Sequence, residues 1–171
     1  MKRSTRGQII LAVGLPGSGK SAYFARRGIQ PLSSDTLRLW VLGDETDQSY
    51  QRGVFQALRY LLRMRLRAGR LRNYVDATNL SPRERRPYLR LAAQYGCEAR
   101  AIFFDVPAEV CRERNRRRGR CVPEEAMDRM ARKLQPPTLE EGFAKITVVR
   151  ERSRQSRDRK GAVRKAVTSD K

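Results

Sequence analysis

Two patterns of apolar positions alternate along the chain. Short runs enriched in apolar residues recur at residues 8–13, 29–33, 72–76, 98–105 and 145–150. Each has the length of a strand in a buried parallel sheet. Between them, apolar residues recur every three or four positions, the period of a helix with one buried face. These stretches predict helices over residues 19–27, 35–42, 46–68 and 82–95, one running from Pro107 into an Arg-rich segment, and one from Pro123 to just before "QPP". Gly69 stands where the third of these should stop. In "SPRE", Ser81 is placed as N-cap, Pro82 at the first helical position and Glu84 as the capping-box partner. The alternation predicts an α/β fold, a doubly wound, mainly parallel sheet of about five strands. Trp40, Tyr50, Phe55 and Tyr60 are spaced as helix-face residues and read mostly as core, Trp40 also as a surface on which a base could stack.

At 171 residues the chain suits one domain. Residues 1–149 carry the pattern, and residues 150–171 hold nine basic and three acidic residues with almost no apolar content. That tail is expected to be disordered. Lysine and arginine number 38 against 18 acids, a net charge of +20. Solubility does not need so much charge; a polyanionic partner, nucleic acid or an anionic membrane surface, is one reading, and basic residues spread over every solvated face by an Arg-rich genome are the other. There is no histidine, so a general base has to be a carboxylate, a lysine or a cysteine. Cys97, Cys111 and Cys121 show no CxxC spacing and read as reduced thiols of a cytoplasmic protein. No segment is long and apolar enough for a membrane span, and no obligate protein partner is evident.

The first strand ends in "GLPGSGKS", residues 14–21. The spacing G-x-x-x-x-G-K-[ST] is met by Gly14, Gly19, Lys20 and Ser21. Gly14, Gly17 and Gly19, with Pro16 and Ser18 between them, let backbone N–H groups converge on one point and cradle phosphate. The loop opens a helix, whose N-terminus favours anions. Lys20 is placed to reach the β- and γ-phosphates of a nucleotide and Ser21 to ligate Mg²⁺.

Phosphoryl transfer also needs a base at the acceptor, cations on the phosphates and an acceptor site. Asp35 is the candidate base, at the C-terminal end of the second strand, with helix N-cap as its alternative role. Asp76 in "VDATN" ends another strand and is placed either to orient Mg²⁺ through water or to form a turn. "CRERNRRRGR" carries six arginines between two helices, the layout of a basic lid closing over phosphates.

"GLPGSGKS", "SSDTLR", "GDETDQ", "VDATN", "RERNRRRGR" and "EEGF" together resemble the polynucleotide 5′-hydroxyl kinase domain of bacterial end-healing enzymes, over residues 8–149. The resemblance implies a P-loop NTPase kinase fold with an Arg-rich helical lid. It implies ATP and Mg²⁺, transfer of the γ-phosphate to a 5′-OH end of DNA or RNA, and a role in nucleic-acid repair. Asp35 would be general base on the 5′-OH, and Arg38 and Gln48 would contact the acceptor's phosphate. Arg114 and Arg120 would clamp the ATP phosphates. The lid is one residue shorter than the family's, which leaves Arg118 as an alternative to Arg120.

The segment "RMARKLQPPTLEEGF" also resembles small P-loop kinases related to the seryl-tRNA kinases, with zeta-like kinases as relatives. That resemblance implies a small-molecule or aminoacyl-tRNA hydroxyl as acceptor. A third reading is an NTP-dependent nucleic-acid-binding protein without chemistry. Asp35 separates it from the kinases, because a carboxylate beside a polyanion site repels the ligand of a pure binder.

Overall fold

The computed structural model describes residues 7–117 and 122–151. Five strands form one sheet: β1 (Gln8–Val13), β2 (Leu32–Ser33), β3 (Arg72–Asp76), β4 (Glu98–Asp105) and β5 (Lys145–Arg150). Their order is β2-β3-β1-β4-β5 and every pair is parallel. Leu11 of β1 lies in register with Val75 of β3 and Ala101 of β4. The chain therefore reverses direction around β1, and in such sheets the crevice at the strands' C-terminal ends is where ligands bind.

The helices are α1 (Lys20–Ala25), α2 (Ser34–Leu42), α3 (Gln51–Arg67), α4 (Pro82–Gln94), α5 (Ala108–Arg116) and α6 (Glu124–Lys133). One sheet face is covered by α2, α3 and α4. Leu37, Val54, Leu58, Leu62, Tyr88 and Leu91 pack there against Ile9, Leu11 and Val13. Each fully buried leucine is worth about 1.5–3 kcal/mol of transfer free energy. The other face holds Ile10, Ala12, Ile102 and Phe104 with Phe24 of α1. The rings of Tyr23, Phe24, Tyr74 and Phe104 meet there edge to face, with centroids 5.4–5.7 Å apart. Helices α5 and α6 form a separate layer, with Cys111 and Met127 on Leu15, Leu80 and Val106.

Three sequence expectations change. The strand expected over residues 29–33 shrinks to two residues, because Pro31 has no N–H for the ladder. The helix expected from residue 46 starts at Gln51. Ahead of it, Asp44 accepts the Thr46 N–H and Asp47 the Ser49 N–H, both at 2.7 Å, so side chains take the bonds a helix would need. Trp40, Tyr50 and Tyr60, expected mostly in the core, are 73%, 56% and 59% exposed. On α3 the buried stripe is Val54, Leu58 and Leu62, and Tyr50 and Tyr60 fall outside it, while Phe55 is half-buried.

Candidate active site

The loop between β1 and α1 is held from behind by the segment after β3. The Gly14 N–H donates to the Thr78 carbonyl at 3.0 Å. Asn79 Nδ2 donates to the Ala12 carbonyl at 2.8 Å. Asn79 is buried and adopts φ 48°, the sole left-handed non-glycine residue among the described residues. Its short amide tolerates that conformation, and such strain persists where surroundings over-determine it. Both pieces of "DATN" therefore fix where the loop begins.

Lys20 is nearly buried, and its Nζ donates to the carbonyls of Gly14 at 2.9 Å and Leu15 at 2.7 Å, with Ser18 Oγ at 3.4 Å. The ammonium is thus positioned over the loop it belongs to. Ser21 Oγ donates to Asp76 Oδ2 at 2.9 Å, joining the residue after Lys20 to the end of β3. One hydroxyl and one carboxylate beside a phosphate cradle is a donor set that fits Mg²⁺, which keeps most of its waters and takes its other ligands from phosphate. Among the described residues no three histidine, cysteine or acidic side chains gather into a cation cluster, so Ser21 and Asp76 are the residues that would hold the ion.

Gly17 lies at the tip of the loop with φ 83°, against α5. A Cβ there would come within 2.5 Å of the Cys111 carbonyl oxygen. Left-handed backbone costs an L-residue about 1–2 kcal/mol before any clash is counted. Gly17→Ala is therefore expected to weaken binding of a non-hydrolysable ATP analogue by about tenfold or more, since 1.4 kcal/mol is tenfold in affinity. Titration calorimetry checks this. An affinity within twofold of the wild type would mean that α5 withdraws from the loop at no cost.

Asp35 is the second residue of α2, and the helix cap is its neighbour Ser33, whose Oγ accepts the Thr36 N–H. The N-cap alternative for Asp35 is thereby replaced by Ser33. The Asp35 side chain is half exposed and accepts Arg38 Nη1 at 2.6 Å. Arg38 is buried and forks: Nε and Nη2 donate to Gln51 Oε1 at 3.2 and 2.7 Å. The carboxylate is held in place by an arginine that is itself held by the start of α3. A cleft of about 930 Å³ brings the loop, Lys20, Ser21, Asp35, Arg38, Gln48 and Asp76 together. Pro16, Gly17 and Gly19 line it, while Gly14 and Ser18 stand behind the lining.

The lid is built differently from a bare cationic flap. Arg112 pairs with Asp128 at 2.6 Å, Arg116 with Glu124 at 2.8 Å, and Arg117 with Glu113. Arg114 donates to Glu151, just past β5, and does not line the cleft. It lies one turn beyond Cys111, whose buried thiol is pushed up by desolvation and pulled back by Lys20 and Arg114. That thiol is neutral at ordinary pH and no nucleophile. Arg118 and Arg120 lie outside the described residues, as does the tail from residue 152.

Sequence reasoning missed four residues. Gln51 orients Arg38, and Asn79 sets the loop. Asn115, buried in the cleft wall, pairs with both backbone groups of Val122, at 2.7 and 3.0 Å, so the two ends of the Arg-rich segment are pinned together. Arg85 of α4 is wholly buried. It donates to the carbonyls of Asn79 and Gln135 at 3.0 Å and to both Glu141 oxygens, at 2.8 and 2.6 Å. Asn79, Asn115 and Glu141 lie inside the quoted stretches "VDATN", "RERNRRRGR" and "EEGF", but nothing there marked them as anchors.

A five-stranded all-parallel sheet with six helices and a glycine-rich loop after its central strand matches the α/β fold of P-loop kinases. Residues 9–137 match the AAA domain family, and the chain belongs to it. Among solved structures, Kti12 from Chaetomium thermophilum in complex with ADP-AlF3 is 16% identical with a TM-score of 0.61, covering 94% of this chain and 100% of its own. The Mycobacterium tuberculosis APS kinase CysC, in complex with AMPPNP and APS, is 21% identical with a TM-score of 0.55, covering 92% and 96%. A Pnkp1/Rnl/Hen1 complex is 24% identical with a TM-score of 0.52 over 70% of this chain and 42% of that one. These are likenesses of fold. No helix among the described residues is long and apolar enough to cross a membrane.

Proposed function

We propose that the chain transfers the γ-phosphate of ATP to the 5′-hydroxyl end of a polynucleotide. The observation that carries this reading is the Asp35–Arg38–Gln51 chain of contacts, placed in one cleft with Lys20, Ser21 and Asp76. A nucleotide-binding module without transfer has no use for a carboxylate there, since it repels phosphate.

The acceptor's 5′-oxygen attacks the γ-phosphorus as the bond to the β–γ bridging oxygen breaks, and ADP leaves. Asp35 takes the hydroxyl proton. Lys20 shifts from the loop carbonyls to the phosphates and offsets charge on the transferring group. Mg²⁺, held by Ser21 and through water by Asp76, would neutralise charge on the β- and γ-oxygens. Arg38 and Gln48 face the acceptor's own phosphate. Arg114, which pairs with Glu151 outside the cleft, would have to leave that partner to join Arg118 or Arg120 in a clamp on ATP. The net charge of +20 supports a polyanionic acceptor over a small neutral one.

The test is incubation with γ-labelled ATP, Mg²⁺ and competing acceptors: a 5′-OH oligonucleotide, its 5′-phosphorylated form, adenosine 5′-phosphosulfate and gluconate. Label only on the 5′-OH oligonucleotide is expected. Label on a small acceptor and none on the oligonucleotide overturns the reading in favour of a small-molecule kinase.

A further inference from the structure

Helix α3 carries charge that no carboxylate among the described residues pairs with. Its seventeen residues include Arg52, Arg59, Arg63, Arg65 and Arg67 and no acid. Among the described residues none of these five forms an ion pair with a carboxylate, whereas the lid arginines Arg112, Arg116 and Arg117 each do. Arg65 is lowered from its usual range by burial and by the like charge of Arg70. Tyr60 and Met64, 59% and 47% exposed, alternate with the arginines.

Helix α4 lies alongside, since Arg59 is close enough to the buried Tyr88 phenol to oppose the upward shift that burial gives it. It adds exposed Arg83, Arg86 and Arg90, spaced by three and four residues. Its one acid, Glu84, is taken up by the Leu80 N–H and Lys133. Both helices start at the end of the sheet where the phosphate loop lies, and α3 starts at Gln51, the partner of Arg38.

We propose that this face is a track for a nucleic-acid strand, with phosphates on the exposed Arg52, Arg63 and Arg67 and a base on Tyr60, leading away from the transfer cleft. Arginine gives phosphate affinity without sequence preference, and interleaved aromatic groups stack any base. A membrane surface would want a broad exposed apolar face, but the apolar side of α3, Val54, Leu58 and Leu62, is spent on the sheet. At 1.5 Å per residue α3 is about 25 Å long, long enough to meet several successive phosphates of one strand. Only the position of the strand's end rests on the 5′-kinase reading. Binding itself is measurable without turnover.

The test uses the full chain, with a fluorescent single-stranded oligonucleotide bearing a 5′-phosphate as probe, read by anisotropy across a salt series. Arg63→Gln/Arg67→Gln is expected to lose about 1.4 from the slope of log affinity against log salt, the share of two single-strand phosphate contacts. Arg63→Lys/Arg67→Lys keeps the charge and is expected to keep the slope, and its thermal midpoint serves as the folding control. Transfer to a 5′-OH dinucleotide is expected to be equal in all three, with the advantage of longer acceptors lost only in the Gln variant. An unchanged slope in the Gln variant overturns the track even where transfer to 5′-OH ends is seen. A lost slope with no transfer to any 5′-OH end supports the track and sinks the kinase reading. Loss of binding to phosphatidylserine vesicles but not to the oligonucleotide overturns it in favour of a membrane surface.

Discussion

Asp35→Asn is expected to lower kcat for transfer by about 10²–10⁴, the usual contribution of a positioned general base, while the affinity for ATP stays within twofold. The substitution keeps the shape of the side chain and an oxygen for Arg38 Nη1, which now stands 2.6 Å from the carboxylate. It removes only the ability to take a proton. Asparagine is therefore a cleaner probe than alanine, which would also release Arg38, a buried guanidinium otherwise held by Gln51. Rapid-quench single turnovers separate chemistry from product release. Should the Asn variant turn over within threefold of wild type, Asp35 would be a positioning partner of Arg38 and the proton would have to leave by water.

The same residue shows how far the sequence alone reaches. That Asp35 follows the second strand was legible, because "SSD" closes the short apolar run of residues 29–33, although the strand stops at Ser33 and Asp35 already belongs to α2. Ser33 as the actual cap was not, since "SSD" offers three good capping residues in a row and only the backbone decides among them. The helix at Pro82 was legible from local chemistry, Glu84 accepting the Leu80 and Ser81 N–H groups at 2.6 and 3.4 Å. The start of α3 was misjudged because two aspartates bind backbone locally and leave no trace in apolar period. The exposure of Trp40 was misjudged for a related reason. Periodicity says which residues share a face, not whether another layer covers that face. The resemblance named the cleft residues Asp35, Arg38 and Gln48, and they share one cleft. It said nothing of Gln51 or Arg85, whose roles depend on partners far along the chain.

Arg85 is the extreme case, and its removal is expected to cost most in stability. In "SPRERRPYLR" it is one of four arginines, and arginine on a helix is normally solvated. Here its side chain is fully buried and joins three segments: Asn79 behind the phosphate loop, Gln135 after α6, and Glu141 before β5. Gln135 N–H in turn donates to the Leu80 carbonyl at 2.9 Å. Taking away one partner of such a pair leaves an acid with 12% of its side chain exposed and two carbonyls short of donors. The expected loss is about 3–5 kcal/mol for Arg85→Met, or about 6–20 °C in Tm for a chain of this size. Arg85→Lys is expected to recover less than half, because an ammonium cannot serve both carboxylate oxygens and two carbonyls at once. Arg85→Met combined with Glu141→Leu should recover more, since the second change removes the stranded charge. Urea unfolding of the four proteins gives the comparison. If Arg85→Met alone lost under 1 kcal/mol, the buried ion pair would be dispensable and the lid would have to be anchored by α6 packing on Leu80 and Leu15 instead.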